Sequence, residues 1–550
     1  MTEARAPAPP GTGDAPPKGR SGRWRAARPL LAWAGALLGA AVVLFWCYLR
    51  ESRTAPVNSD GSVMALQGWD MLHGNALLSG WWLADVTFYA FEIPLDALVE
   101  AVRGLNSDVV HTSAAVVYTL LVLTAAMLAR GKARGAEGVV RALIAAGIML
   151  APAYTPGARV LILSPDHTGV GVPILLTLLL VDRLAERRWT PAAVCVLLVW
   201  AQVDDPLATL AAAGPLAVVC LVRAVVTRLR RRRVAWPDFW LAVAAAASVE
   251  LAHLAVSAIG WAGGYSMQAL GSTGRLTPPS AWPGQLHATG ENLLILFGAD
   301  FFDQPSGIQT VIAYAHFAEV VLALCGLLTG LAGLVRGADR VTQVLTLATL
   351  ATLGAGAFAL QMTVVAGAHE IAVALPFGAV LAGRTLGPWL LSRRLLSRRW
   401  PKITLLPLLG VCLACYLAML GYNASLPAVP SQTQYVADWL VAHHLTDGLG
   451  RYWGASSTTL ASGGRVLVAP TENAGESANP WVAKPSWYDP TIHYANFVIA
   501  APGAGNAMAF GQAAVRGVFG PPRDVYPVGQ YVIMVWNKNL LLQVRKPVQG

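Results

Sequence analysis

The chain has 550 residues, of which 55% are hydrophobic and only 13% charged, and a formal net charge of +10. That charged share is about half of what soluble domains carry, so a large soluble protein is excluded and many apolar spans of roughly 20 residues are required. The positive balance does not point to nucleic acid, because Lys and Arg cluster beside apolar runs, as the positive-inside rule expects.

Residues 1–27 are rich in Pro, Gly and Arg and read as a disordered, basic cytoplasmic tail. The run from Leu30 to Leu49 is long enough to span and has no small-residue cleavage site, so it reads as a signal anchor. About eleven spans are predicted, near 28–49, 109–130, 138–157, 168–185, 190–203, 207–228, 236–260, 309–335, 341–363, 370–390 and 402–422. The fifth is short, and Pro206 divides it from the sixth, so this pair also fits a re-entrant hairpin. With the N-terminus inside, the inner loops "RGKARGAEGVVR", "DRLAERR", "RLRRRR", "RGADR" and "SRRLLSRRWPK" are all basic. The outer loops hold few basic residues: Arg53, Arg103, Arg159 and Arg275. This asymmetry predicts a multi-pass protein of the cytoplasmic membrane with a cytoplasmic N-terminus. The expected fold is an all-α polytopic membrane bundle over 28–422, with long outer loops at 50–108 and 261–308. A small extracytoplasmic α/β or α+β domain over 423–550 follows, with the strand-like runs "RVLVAP", "NFVIA" and "QYVIMVWN". The six cysteines lie in apolar stretches without ligand spacing and read as small core residues.

Chemistry-bearing residues collect at the predicted outer ends. The stretch "NSDGSVMALQGWDMLHGN" carries Asp60, Asp70 and His73 just after the first span. "SPDHTG" carries Asp166 and His167 before the fourth span, where Ser, Pro and Asp are equally ordinary helix starters. "AGAHE" sets His369 and Glu370 at the outer end of the tenth span, again with a plain polar helix start as the alternative. Asp204-Asp205-Pro206 reads as a turn and cap or as a metal clamp. The segment from Trp81 to Val102 reads as an interfacial amphipathic helix, its acids Glu92, Asp96 and Glu100 forming a solvated face. Within the membrane, Glu250 and His253 of span seven and His316 and Glu319 of span eight each share a helix face at i, i+3. Equal depth predicts one polar cluster, suited to metal, proton relay or a lipid phosphate, or to locking the two spans together. "NAS" at 423–425 matches a glycosylation sequon by pattern.

A carboxylate just after span one, another just before span four, a long first outer loop and an outward C-terminal domain together resemble the GT-C superfamily of membrane glycosyltransferases. The likeness is to the architecture of oligosaccharyltransferases and protein mannosyltransferases. The resemblance implies an inverting transferase that moves a sugar from a polyprenyl-phosphate donor to a cell-envelope acceptor at the outer face. Asp60 matches the first-loop acidic position and is the expected base. Asp166 and His167 look like the second-loop acidic motif and would hold the acceptor or a divalent cation, Mg²⁺ or Mn²⁺. Asp70, His73, His369 and Glu370 are further donor-binding candidates. Glycosyl transfer uses a base for the acceptor proton or a metal for the departing phosphate, and nearby negative charge favours an oxocarbenium-like transition state. The partners implied are a lipid-linked donor and membrane lipids, with no nucleic acid. Two alternatives stay open: a transporter or lipid flippase working through Glu250, His253, His316 and Glu319, and a non-catalytic GT-C-shaped envelope assembly protein.

Overall fold

A computed structural model describes residues 20–84, 86–152, 160–163, 167–267, 275–302, 307–362, 367–391, 399–431 and 433–546. Asp166 lies outside the described residues. The helices in chain order are α1 (Arg20–Ser52), α2 (Ser59–Leu72), α3 (Glu92–Arg103), α4 (Asp108–Arg130), α5 (Gly135–Met149), α6 (Val160–Leu163), α7 (Gly171–Leu184) and α8 (Thr190–Asp204). A π turn, Thr209–Ala213, leads into α9 (Gly214–Arg231), followed by α10 (Trp236–Trp261), α11 (Trp282–Phe297), α12 (Ile308–Arg336) and α13 (Arg340–Gln361). A 3₁₀ turn, Ala368–Ile371, leads into α14 (Ala374–Leu390), and α15 (Arg399–Ser425) ends the bundle. Residues 1–44 and 45–550 form two separate units, and the bundle from α2 onward belongs to the second with the C-terminal domain.

Among the described residues, eight helices are long and apolar enough to cross a membrane, which makes this a multi-pass membrane protein. Two of the predicted spans, α5 and α7, are shorter than the sequence suggests, with 15 and 14 residues, and α8 is as short as expected at 15. At 1.5 Å per residue they reach about 22 Å, short of a hydrocarbon core of about 30 Å. The apolar run beyond Met149 contains Pro152, which disfavours helix in the residue before it.

α14 is the central helix, packed on α4, α5, α12 and α13. At the Arg-rich ends of the helices its buried Arg384 ties four elements together. Nη2 donates to Asp182 Oδ1 of α7 and Asp339 Oδ1, each at 2.8 Å. Nη1 donates to the Leu128 carbonyl of α4 at 2.7 Å, and Nε to the Thr342 hydroxyl of α13 at 3.2 Å.

The first long loop corrects the interfacial-helix expectation. Trp81 and Trp82 are 2% and 5% exposed. Trp82 belongs to a two-residue strand β1 (Trp82–Leu83), parallel to β2 (Ser266–Met267). The helix starts only at Glu92, and it buries Glu92, Asp96 and Glu100 while Leu98 and Val102 face out. The cause is its packing on α2. Gly68 has no Cβ, so Asp96, Ala97 and Glu100 come down onto it; a Cβ there would lie 2.8 Å from the Ala97 nitrogen.

The C-terminal region contains α16 (Gln434–Ala442), β3 (Asp447–Arg451), α17 (Tyr452–Ala461), β4 (Leu467–Glu472), β5 (Ser477–Ala478), β6 (Phe497–Ala501), β7 (Phe510–Gly511), α18 (Gln512–Phe519), β8 (Asp524–Val528) and β9 (Tyr531–Val535). The sheet order is β5-β4-β3-β6-β9-β8, with β7 pairing to β6. β3 runs parallel to β4 and β6, whereas β9 is antiparallel to β6 and β8. Strict alternation along β6 feeds two cores: Phe497 and Ile499 face one side, Val498 and Ala500 the other. The sequon Asn423 is 3% exposed and donates to Glu51 Oε1 and the Pro152 carbonyl, so it is a packing residue rather than an accessible acceptor.

Candidate functional site

The site forms where the turn leading into α7, the end of α8 and the turn before α14 meet. His167 is buried and has φ +50°, and Phe88 in the first loop has φ +51°. Left-handed backbone at a bulky side chain costs energy and is kept only where the surroundings enforce it. Here the enforcing contacts are visible. The Phe88 amide donates to the Asp204 carbonyl at 3.0 Å, and the Thr87 hydroxyl to the Val203 carbonyl at 2.6 Å. His167 Nδ1 sits 2.8 Å from Asp205 Oδ2, while Asp205 Oδ1 accepts the Leu207 amide at 2.8 Å. The Phe88 and His167 rings meet edge to face at 6.1 Å.

Two further groups close the cluster. His167 Nε2 lies 3.6 Å from Glu370 Oε2, and Glu370 Oε1 lies 3.5 Å from His369 Nε2. The two imidazoles stack at 5.7 Å and 16°. One ligand atom from each of His167, His369 and Glu370 falls within 4.8 Å of the others. His167, Asp205 and Glu370 border a cavity that is also lined by the apolar Leu207, Leu210 and Val373. Leu210 is 48% exposed, so the lining reaches the bundle surface.

A layer of acids lies behind the cluster. Asp204 Oδ1 accepts the Ala90 and Phe91 amides at 3.0 and 2.8 Å, fastening the start of α3. Glu92 is packed against Asp204 and against Gly169, where any Cβ would overlap the Glu92 carboxyl. Burial, reinforced by the Asp204 carboxylate, pushes Glu92 well above the usual carboxylate range. A proton shared between the two carboxyls satisfies oxygens that otherwise have no donor. Burial also raises Asp96 to about 7, and burial plus the Asp96 charge raises Glu100 to about 9. Both folded values exceed the unfolded ones near 4. The stability these acids give is therefore complete below about pH 4 and lost as pH rises through about 7 and then about 9. The melting temperature of the detergent-solubilised chain is expected to fall between pH 6 and pH 9, and Glu100→Gln to flatten that fall. An equal pH slope in wild type and variant would contradict this.

The other predicted residues go elsewhere. Asp60, in the first turn of α2, accepts the Tyr452 hydroxyl of the C-terminal domain at 2.6 Å on Oδ1. α3 packs on α2, and Glu92 at its start touches Gly169. Asp70 is a strut: Oδ2 takes Lys484 Nζ at 2.8 Å, Trp81 Nε1 at 2.8 Å and Asn75 Nδ2 at 2.6 Å. Burial raises its pKa, but these donors outweigh it and leave Asp70 below its ordinary value. His73 is exposed, its ring tilted against Trp69, with Nδ1 on the Trp69 carbonyl.

The expected four-residue intramembrane cluster is not formed. His316 and Glu319 are buried, with Nδ1 and Oε2 3.1 Å apart. Glu250 and His253 are exposed on α10, which packs on α8 and α9. The reason is helical phase. Ser248 turns inward to Gln202 at 2.9 Å, and Glu250 lies about 200° further round the helix.

Sequence reading undervalued Asp204 and Asp205, whose "DDP" setting looks like a turn, and misassigned Glu92, for which no local signal exists. No family model and no curated protein matches the chain. Among solved structures it is similar to ArnT from Cupriavidus metallidurans bound to undecaprenyl phosphate, at 12% identity and TM-score 0.48, covering 92% of this chain and 98% of that one. It is also similar to the Archaeoglobus fulgidus oligosaccharyltransferase tethered by a disulfide to an acceptor peptide containing the NVT sequon. That likeness has 11% identity and TM-score 0.46, covering 84% of this chain and 69% of the other. At these identities no residue role passes from either protein to this chain.

Proposed function

We propose that this chain is an inverting membrane glycosyltransferase of GT-C type, which transfers a sugar from a polyprenyl-phosphate donor to a cell-envelope acceptor at the outer face of the cytoplasmic membrane. The observation that carries the reading is the cavity, lined by ionisable and apolar side chains together in a membrane bundle. An amphiphile with an anionic head and a long hydrocarbon chain suits such a lining. The basic loops support a site on the outer side, and the stacked Trp236 and Trp240 beside the Arg-rich 228–233 run suit the inner interface.

His167, His369 and Glu370 fit a divalent cation. The Asp205 contact engages His167 Nδ1 and turns Nε2 toward Glu370, the usual support for a ligating imidazole. Two nitrogens and one carboxylate suit Mn²⁺ better than Mg²⁺, which prefers oxygen alone. When bound, the cation would neutralise the departing phosphate. In the transfer itself, the acceptor hydroxyl oxygen bonds to C1 of the sugar and the C1–phosphate oxygen bond breaks. The acceptor proton passes to a carboxylate, for which Asp60 is the candidate base, with Asp166 beside His167 as the second catalytic carboxylate.

The test is Mn²⁺ binding by the full chain in nanodiscs, read by electron paramagnetic resonance. His167→Ala and Glu370→Gln are expected to weaken binding by more than about 10–100-fold, the range seen for lost supporting contacts. Tyr452→Phe is expected to leave binding unchanged. Equal binding in wild type and His167→Ala would overturn the assignment.

A further inference from the structure

α10 carries two ionisable side chains where a membrane helix can least leave them. Exposed Trp240 and Trp261 bracket a helix length of about 31 Å, the thickness of a hydrocarbon core. Glu250 stands about 15 Å past Trp240, at the midplane, with His253 one turn further on. Both are exposed on the chain surface, and among the described residues neither has a hydrogen bond or ion pair. A glutamate there is too short to snorkel to either interface. Ionisable groups at that depth pair with a partner or face a cavity.

The helix cannot rotate to hide them. Its opposite face, with Leu241, Ala245, Ser248 and Ala252, is buried, and the helix packs on α8 and α9. The outward face has its own order. Val243, Ala246, Glu250, His253, Ser257 and Gly260 are all exposed and recur at alternating intervals of three and four. That spacing is the seam of a left-handed helix pair. Small residues at the seam let two backbones approach, and polar ones join them inside a membrane.

The occupant follows from the seam's own chemistry. Two copies in one membrane share one orientation, so a twofold axis along the membrane normal pairs the seam with itself. Each copy brings one acid and one imidazole a turn apart. Glu250 of either copy therefore reaches His253 of the other, and no ionisable group is left over. A helix of a different protein would have to bring the same two groups in the same register. We propose that the outward face of α10 is a homodimer interface in the membrane, closed by two reciprocal Glu250–His253 contacts.

The experiment uses the full chain in its own membranes, with oxidative cross-linking of single added cysteines against the parent chain as background. Ser257→Cys lies on the seam, and Val218→Cys lies on α9 at 51% exposure as a control for random encounters. Ser257→Cys is expected to give disulfide-linked dimers in at least tenfold higher yield than Val218→Cys. Adding Glu250→Gln is expected to lower that yield several-fold. A second readout is single-molecule photobleaching of labelled protein in dilute vesicles, where wild type is expected in pairs and the Glu250→Gln, His253→Gln double variant mostly single. Equal cross-linking at 257 and 218, a cross-link to another polypeptide, or single wild-type molecules would overturn the proposal.

Discussion

Arg384→Gln is expected to destabilise the folded chain by about 3–5 kcal/mol, the cost of breaking a buried ion pair from one side. The Arg384 and Asp182 side chains are 5% and 7% exposed, so the carboxylate would remain buried without its cation. The Leu128 carbonyl and the Thr342 hydroxyl lose a donor at the same time. α4, α7, α13 and α14 all converge on this guanidinium, so the loss spreads through the bundle rather than freeing one loop. Arg384→Lys is not expected to rescue it, since a single ammonium cannot reach Asp182, Asp339 and Leu128 together. Thermal unfolding of the detergent-solubilised protein checks this. Asp182→Asn combined with Arg384→Gln should cost less than the sum of the two, because the stranded charge is gone. An Arg384→Gln protein melting with wild type would contradict the account.

Gly169→Ala is expected to disable the site while leaving the bundle folded. The added methyl group falls on the Glu92 carboxyl, which is 1% exposed and wedged against Asp204. Something must shift, and the nearest movable piece is the turn that carries His167. A displacement of about 1 Å at a positioned group costs roughly 10²-fold in rate. The same displacement pulls Nε2 away from Glu370, so cation affinity should fall alongside activity. Shortening the obstacle supplies the control: Glu92→Ser in the Gly169→Ala background is expected to restore cation binding in part. If Gly169→Ala binds Mn²⁺ as wild type does, the contact between Glu92 and the turn is not what holds His167.

What the sequence made legible follows from how local each cause is. The runs at 109–130, 236–260 and 341–363 became α4, α10 and α13 nearly end to end, because continuous apolar periodicity is a property of neighbours. The helical character of α3 was legible for the same reason. Which face it buries was not, since that depends on Gly68 of another helix admitting the acids. A protonated Glu92 or Glu100 behaves as a polar but uncharged residue, which no reading of residue types reveals. Asp205 shows a different obscurity. Its Oδ1 does act as the turn cap that "DDP" suggests, while Oδ2 holds His167, so the ordinary reading and the functional one are both true of a single side chain. His167 and His369 meet through tertiary packing, including that of α7 against α13, and nothing in either segment points to the other. Glu250 and His316 show the converse: matched depth along two helices says nothing about whether their faces meet.

The most direct test of the functional reading is turnover of lipid-linked donor. The full chain in nanodiscs is incubated with Mn²⁺ and a panel of radiolabelled polyprenyl-phosphate sugars, with His167→Ala and Asp166→Asn alongside, and loss of label from the lipid fraction is followed. The account predicts that wild type consumes at least one donor and that both variants fall by 10²-fold or more. Consumption by His167→Ala at the wild-type rate, or no consumption of any lipid-linked sugar by wild type, would contradict it.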